Sequence, residues 1–458
     1  MALFPVEFND SMLLDFLITG FDNSSFFSKQ TRNYISDIAK SVRKNKRKKD
    51  FKKNGFKYVF SPSREGGVNV LDFWERLIID AIKYLKWHDA KEFTKPKTRS
   101  KENAYDKISE GSLGVYNLKD YFKAFIEFER LLYGAEQFYR DHVYHILKVW
   151  LIGQYIIKNI IDSEFPIMIG EDDEKLVGNK FPRSLKNNGT LYAGEEDAIW
   201  CLISLTHDLG YPLSKIENIN ISLKKMMKYY AKTGLEEFSF SFPQQNQFIN
   251  DAILKYISSK IDFVSNDEEE GGTRQKKQFD THIQAKFYLK FSRSFELFNH
   301  GLISCIVLVK NLIYFLETNF DHNPSAPLGD AEEARQFIIR REILRAIAAH
   351  TCPEIYHIRP NTFSFILLLA DEIQSWGRPT FEAMALGADK HYSVTLNYFS
   401  PTSVSFTMRC EENSDLKPDS LLNLFKCHFS APLTHLVFTP IDPGAASYPG
   451  FFTIADGG

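Results

Sequence analysis

EEDAIWCLISLTHDLGYP, residues Glu195–Pro212, carries the punctuation of a buried helix from end to end. Glu195, Glu196 and Asp197 fill the first turn, where the positive end of the helix dipole favours acids. An apolar run follows, Gly210 is placed to take a left-handed cap, and Pro212 stops the helix. His207 and Asp208 then fall in the last turn, where the partial negative charge of the helix end favours a cation. Imidazole and carboxylate are both competent metal ligands. A His-Asp pair alone carries little information. His88-Asp89 in KYLKWHDAKEF has the same two residues without that setting, and reads as a surface or packing pair.

On either side of this helix the chain holds further histidines in helical contexts. Upstream, YRDHVYHILKVWLIG sets His142 and His145 one turn apart, with Val149 and Gly153 continuing the His145 face at four-residue steps. Downstream, FNHGLISCIVLVKNLI puts His300 at the start of an apolar helix. RREILRAIAAHTCPEIYHI puts His350 at the end of another, two residues short of a Cys-Pro stop. NTFSFILLLADEIQSWGRP drops Asp371 and Glu372 into an otherwise apolar helix. A carboxylate among Phe365, Leu367, Leu368, Leu369 and Ile373 is costly unless its charge is paired or bound to metal.

The order His, His-Asp, His, His, Asp resembles the HD-domain superfamily of metal-dependent phosphohydrolases. The local contexts are similar too: His-Ile-Leu-Lys-Val, His-Asp-Leu-Gly, Asn-His-Gly, Ala-His-Thr and Leu-Ala-Asp-Glu, spread over about half the chain. The resemblance implies a mainly α fold with a helical HD-domain core, and one metal held by His145, His207, Asp208 and Asp371. Asp208 would bridge to a second metal held also by His300 and His350. If those two are instead hydrogen-bonded core histidines, a one-metal site remains. His145 is preferred to His142 because Val149 falls where the family's pattern expects it, and His142 then supports the site or faces substrate.

A mixed nitrogen and oxygen ligand set suits one or two divalent ions of Mn, Fe, Zn, Ni or Co better than Ca, with Mg admissible. The implied reaction is hydrolysis of a phosphate ester by a metal-activated water, centred on His207 and Asp208. Many relatives follow His-Asp with a Lys that serves the substrate phosphate. Here Leu209-Gly210-Tyr211-Pro212 stands instead, so Arg140, Lys215 and Arg378 are the candidates for phosphate neutralisation. Glu372, about 100° around the helix from Asp371, is not an automatic ligand. Phosphomonoester and phosphodiester both remain open.

Composition frames these readings. The chain has 458 residues, 44% hydrophobic and 25% charged, so a prior of about 150 residues per domain suggests two or three globular domains. That balance excludes global disorder and a small disulfide scaffold. The formal charge of −2 gives no global pull toward nucleic acid or an anionic membrane. Five scattered cysteines without a CxxC pair, no basic leader and no clean apolar span point to a cytoplasmic protein that does not cross a membrane.

Residues 1–125 read as a mostly helical extension, 126–388 as the helical core with insertions at 162–194 and 266–277, and 389–458 as a small α+β module. In that module Val394, Leu396 and Tyr398, then Val404, Phe406 and Met408, alternate as a β-hairpin. A helix from Pro418 to about His428 and a strand at Leu436–Phe438 follow. The run Arg43–Lys53 has eight basic residues in eleven, and is either a solvated face or a hold on a polyanion. Walker, GxSxG, HExxH and Rossmann motifs are missing. The expected partner is a small phosphorylated substrate of the nucleotide kind, with a homo-oligomer compatible. Two rivals stand beside it: a nuclease on single-stranded nucleic acid using the basic run, and a non-enzymatic sensor on the same scaffold.

Overall fold

The computed structural model describes residues 5–21, 26–45, 51, 55–60, 67–89, 110–132, 142–161, 166–170, 191, 194–227, 229, 244–264, 278–317, 331–352, 354–355, 361–376, 392–399, 403–410 and 447–453. After a short strand β1 (Val6–Glu7) come helices α1 (Asp10–Thr19), α2 (Lys29–Asn45), α3 (Gly55–Val59), α4 (Val70–Asp89) and α5 (Val115–Leu132). The central part contains α6 (His142–Asn159), α7 (Glu195–Thr206), α8 (Tyr211–Met227) and α9 (Gln244–Ile257). An antiparallel hairpin, β2 (Ser259–Val264) with β3 (Gln278–Ile283), precedes α10 (Ala285–Glu296), α11 (His300–Asn311), α12 (Ala331–Ala349) and α13 (Phe363–Trp376). Strands β4 (Tyr392–Phe399), β5 (Ser403–Cys410) and β6 (Ser447–Thr453) close the sequence of elements. The protein is mainly α. None of its described helices is long and apolar enough to cross a membrane.

Helix α7 lies at the centre because its residues from Ala198 to Thr206 are all buried, leaving no face for solvent. It packs on α4, α6 and α12. Trp74 of α4 donates its indole N–H to the Leu205 carbonyl at 3.0 Å, and Trp200 of α7 donates to the Trp150 carbonyl of α6 at 2.8 Å. Gly153 makes the α6 contact possible, since a Cβ there would stand 2.0 Å from Trp200 Cζ2. Residues before 126 share this interior. Phe21 stacks on Trp150 with ring centroids 5.1 Å apart, and Leu14, Phe27, Phe73 and Leu77 belong to the same buried cluster. Each fully buried Leu or Phe contributes about 1.5–3 kcal/mol.

Helices α7 and α12 run side by side in the same direction. At their N-terminal ends the buried Arg335 guanidinium pairs with the Glu195 carboxylate. At their C-terminal ends the His207 and His350 rings lie 5.1 Å apart. Further along α12, Arg341 and Arg345 donate to the Ser259 carbonyl at 3.0 and 2.6 Å, and Arg345 to the Ile257 carbonyl at 2.9 Å. These bonds satisfy the Ile257 carbonyl at the C-terminal end of α9 and the Ser259 carbonyl at the start of β2.

The expected C-terminal hairpin is present, with Val394 opposite Met408 and Leu396 opposite Phe406. It belongs to a four-stranded antiparallel sheet ordered β1-β4-β5-β6, in which Val6 from the start of the chain pairs with Leu396. The helix at 418–428 and the strand at 436–438 lie outside the described residues, as do the insertion 266–277 and most of 162–194. Three local expectations are corrected. The core expected at 126–388 is not helical throughout, because β2 and β3 flank the 266–277 insertion. Gly210 does not have the positive φ of a left-handed cap, and Pro212 does not end structure: it sits in the first turn of α8, where its missing N–H costs nothing.

Candidate metal centre

Five elements deliver side chains to one buried point. His145 comes from the first turn of α6, and His207 is the C-cap of α7 with Asp208 in the turn that follows. His300 opens α11, His350 follows the end of α12, and Asp371 lies in α13. The turn 207–210 would expose carbonyls at a helix end, yet each finds a donor. Ser304 Oγ lies 2.6 Å from the His207 carbonyl, Tyr211 N–H donates to the Asp208 carbonyl at 3.0 Å, and Tyr121 O–H to that of Leu209 at 2.5 Å. Ser304 Oγ also accepts the Gly210 N–H at 2.8 Å, so the turn is fastened to α11.

That fastening explains Gly210. A Cβ there would lie 2.2 Å from the His300 carbonyl oxygen and 2.6 Å from Ile303 Cβ, so glycine serves the close approach of the turn to α11. Gly210→Ala is expected to cost about 1–3 kcal/mol as overpacking and to push His300 away from Asp208. Denaturant melts with and without added Mn check this: the variant should lose more of the Mn-dependent stabilisation than of the metal-independent stability. Equal losses would mean the glycine serves packing alone.

Around Asp208 the distances are short on both sides. Its Oδ2 lies 3.2 Å from His145 Nε2 and 3.5 Å from His207 Nε2, while Oδ1 lies 3.2 Å from His300 Nε2 and 4.0 Å from His350 Nε2. Asp371 Oδ1 lies 3.0 Å from His145 Nε2 and 3.9 Å from His207 Nε2. Three overlapping triplets have ligand atoms within 4.8 Å of one another: His145, His207 and Asp208; His207, His350 and Asp371; and Asp208, His300 and His350. These buried His and Asp groups can hold a metal ion. His300 and Asp371 have side chains 24% and 23% exposed against 3% for Asp208, so the centre is least covered at those two residues.

Hydrogen bonds on the far ring nitrogens fix how the imidazoles present themselves. His207 Nδ1–H donates to the Ser204 carbonyl at 2.8 Å, His350 Nδ1–H to that of Ile347 at 2.5 Å, and His145 Nδ1–H to Gln374 Oε1. Each bond leaves Nε2 pointing into the centre, the arrangement that orients a histidine ligand. Nε2 of His207 and of His350 are buried without a hydrogen-bond partner among the described residues. A core offers no return for such atoms, whereas a cation does.

The electrostatics suit a bound cation. Burial, aided by the neighbouring His300 and His207, lowers His350 to about 3, so its ring is neutral and ligand-competent at pH 7. Burial lowers His207 too, against the opposing pull of Asp208 and Asp371. Burial opposes ionisation of Asp208, but the His207 charge and hydrogen bonds from His145 and His300 hold it well below the usual carboxylate range. Asp371 is likewise held low, burial being outweighed by its bond to His145. Burial alone would lower His145, yet its bonds to Asp208 and Asp371 raise it. The ionised carboxylates of Asp208 and Asp371 supply negative charge that a bound cation would balance, taking over from the His145 proton.

All of His145, His207, Asp208, His300, His350 and Asp371 thus meet, and His142 stands beside them. Its Nε2 is 3.9 Å from Asp208 Oδ2, and its ring packs 4.3 Å from Tyr211 and 5.0 Å from Phe125. Lys215 Nζ sits 4.7 Å over the ring of Tyr211, which itself lies 4.3 Å from His142 and 5.9 Å from His300. Arg140 and Arg378 lie outside the described residues. Of the Arg43–Lys53 run, Arg43 and Lys44 are exposed at the end of α2 and Lys46–Asp50 lies outside the described residues. Gln374 and Ser304 went unnoticed in the sequence, although Gln374 lies three residues after Asp371 on one helical face. No protein-family model, no curated protein and no solved structure matches the chain.

Proposed function

We propose that the protein is a metal-dependent phosphohydrolase of the HD type, acting on a phosphate ester of a nucleotide or related small molecule. One observation carries the reading: the side chains of the His, His-Asp, His, His, Asp series converge with Nε2 of His207 and His350 turned inward and unpartnered among the described residues. A scaffold gains nothing from this, because each buried polar atom left without a partner costs about 1–3 kcal/mol. His145, His207, Asp208 and Asp371 would hold one ion. Asp208, His300 and His350 would hold a second, with Asp208 shared. A divalent first-row ion supplies Lewis acidity there, activating water near neutral pH and polarising the phosphoryl group.

The protein's own groups do the rest. The carbonyls of Ser204 and Ile347 lock two imidazoles so that no side-chain rotation is needed when a ligand arrives. Substrate would approach at His300 and Asp371, the two least covered of these side chains, and Lys215, packed over the Tyr211 ring, is the candidate for taking up phosphate charge.

The test is metal analysis of wild-type protein followed by hydrolysis of p-nitrophenyl phosphate and bis(p-nitrophenyl) phosphate with Mn present. One or two ions per chain and turnover of either ester, abolished by chelator and restored by Mn, is the expected result. A chain that retains no Mn, Zn or Fe ends the proposal. Bound metal with cleavage of a single-stranded oligonucleotide alone would turn it toward the nuclease.

A further inference from the structure

His145 differs from the other anchored histidines in where its far nitrogen can find an acceptor. His207 and His350 each follow the last turn of a helix, and each uses the carbonyl three residues back, which a helix leaves unbonded at its C-terminal end. His145 lies inside α6, where the preceding carbonyls are committed to the helix's own ladder. Its Nδ1–H needs an acceptor from another element.

We propose that Gln374 is that acceptor by design: a positioning residue that fixes the tautomer and aim of His145 and thereby sets the metal affinity of the centre. The inference rests on the metal-dependent reading above. Gln374 Oε1 takes the Nδ1–H bond, and three residues earlier on the same helix Asp371 Oδ1 lies 3.0 Å from Nε2. One turn of α13 therefore grips both nitrogens of the ring, and the side chains of Gln374 and His145 are joined across 229 residues of sequence. A neutral amide also accepts without adding a third negative charge beside Asp208 and Asp371. Bonds of this kind fix ring orientation, and losing one costs about 10–100-fold in metal affinity.

Gln374→Leu keeps the bulk and removes the acceptor, while Gln374→Glu keeps an acceptor. Mn binding to chelator-treated wild type and both variants is measured by isothermal titration, alongside the melting temperature in chelator. The imidazole N–H signals are followed in histidine labelled with 15N. Gln374→Leu is expected to bind Mn about 10–100-fold more weakly, to melt in chelator close to wild type, and to lose one slowly exchanging Nδ1–H signal. Gln374→Glu is expected to bind at least as tightly as wild type and to retain that signal. Should the leucine variant fail to fold, the glutamate variant decides: weakened binding or loss of the signal overturns the proposal. Equal binding by all three proteins overturns it while leaving the functional reading intact. No binding by wild type removes both.

Discussion

On the metal-dependent function proposed above, Asp208→Ala is expected to retain no metal and to lower kcat/KM for a phosphoester by on the order of 10³-fold or more. The argument is one of position. Asp208 is the only described side chain that faces His145 and His207 with one oxygen and His300 and His350 with the other. Among the described histidines Asp371 comes within 4.0 Å of His145 and His207 alone, with His350 a little farther off. Removing Asp208 thus takes a ligand from both halves and half of the negative charge that a cation balances. Asp371→Ala should weaken one half and leave residual metal. Elemental analysis after gel filtration in chelator-free buffer separates the two variants. Asp208→Asn, which keeps shape and loses charge, should behave like the alanine form. Full metal content in either Asp208 variant would refute a centre built around this carboxylate.

What the sequence could and could not disclose follows from how far each signal travels along the chain. The Glu195–Pro212 segment announced its helix because first-turn acids and the apolar run act on their neighbours, and Asp371 stood out because a carboxylate among leucines is costly wherever it lies. The role of Gly210 was misread for the opposite reason. Its constraint is the backbone of α11, and the Ser304 hydroxyl that binds its N–H is 94 residues away. A glycine before a proline looks like a local stop when its real neighbour is out of view. The β2–β3 hairpin carried a period-two pattern in Ile261 and Phe263, then Phe279 and Thr281. Those short runs were split by the charged insertion and flanked by helices. Gln374 was legible only as a neighbour of Asp371, since nothing in sequence reveals that His145 lacks a backbone acceptor.

The first-turn acids of α7 lead to the second large effect. In sequence Glu195 reads as a complement to the helix dipole, and in the fold it is also half of a buried ion pair with Arg335, 140 residues on. Arg335→Met is expected to destabilise the protein by about 3–5 kcal/mol, because it leaves a buried carboxylate without its counter-charge. Glu195→Gln strands the guanidinium and should cost a similar amount. The double variant Glu195→Gln/Arg335→Met should recover much of the loss, since neither charge is then left alone. Urea melts of the four proteins in chelator give the cycle, and purely additive losses would show that the pair does not act as a unit. The consequence reaches the metal centre through helix register. Glu195 and Arg335 pin the N-terminal ends of two parallel helices whose C-terminal ends present His207 and His350 5.1 Å apart. A one-residue slip of α12 against α7 moves His350 by about 1.5 Å along the axis, roughly twice the spread between 3.2 and 4.0 Å of the distances around Asp208. Mn affinity of Arg335→Met should therefore fall even below its unfolding midpoint, although Arg335 lies about four turns from His350.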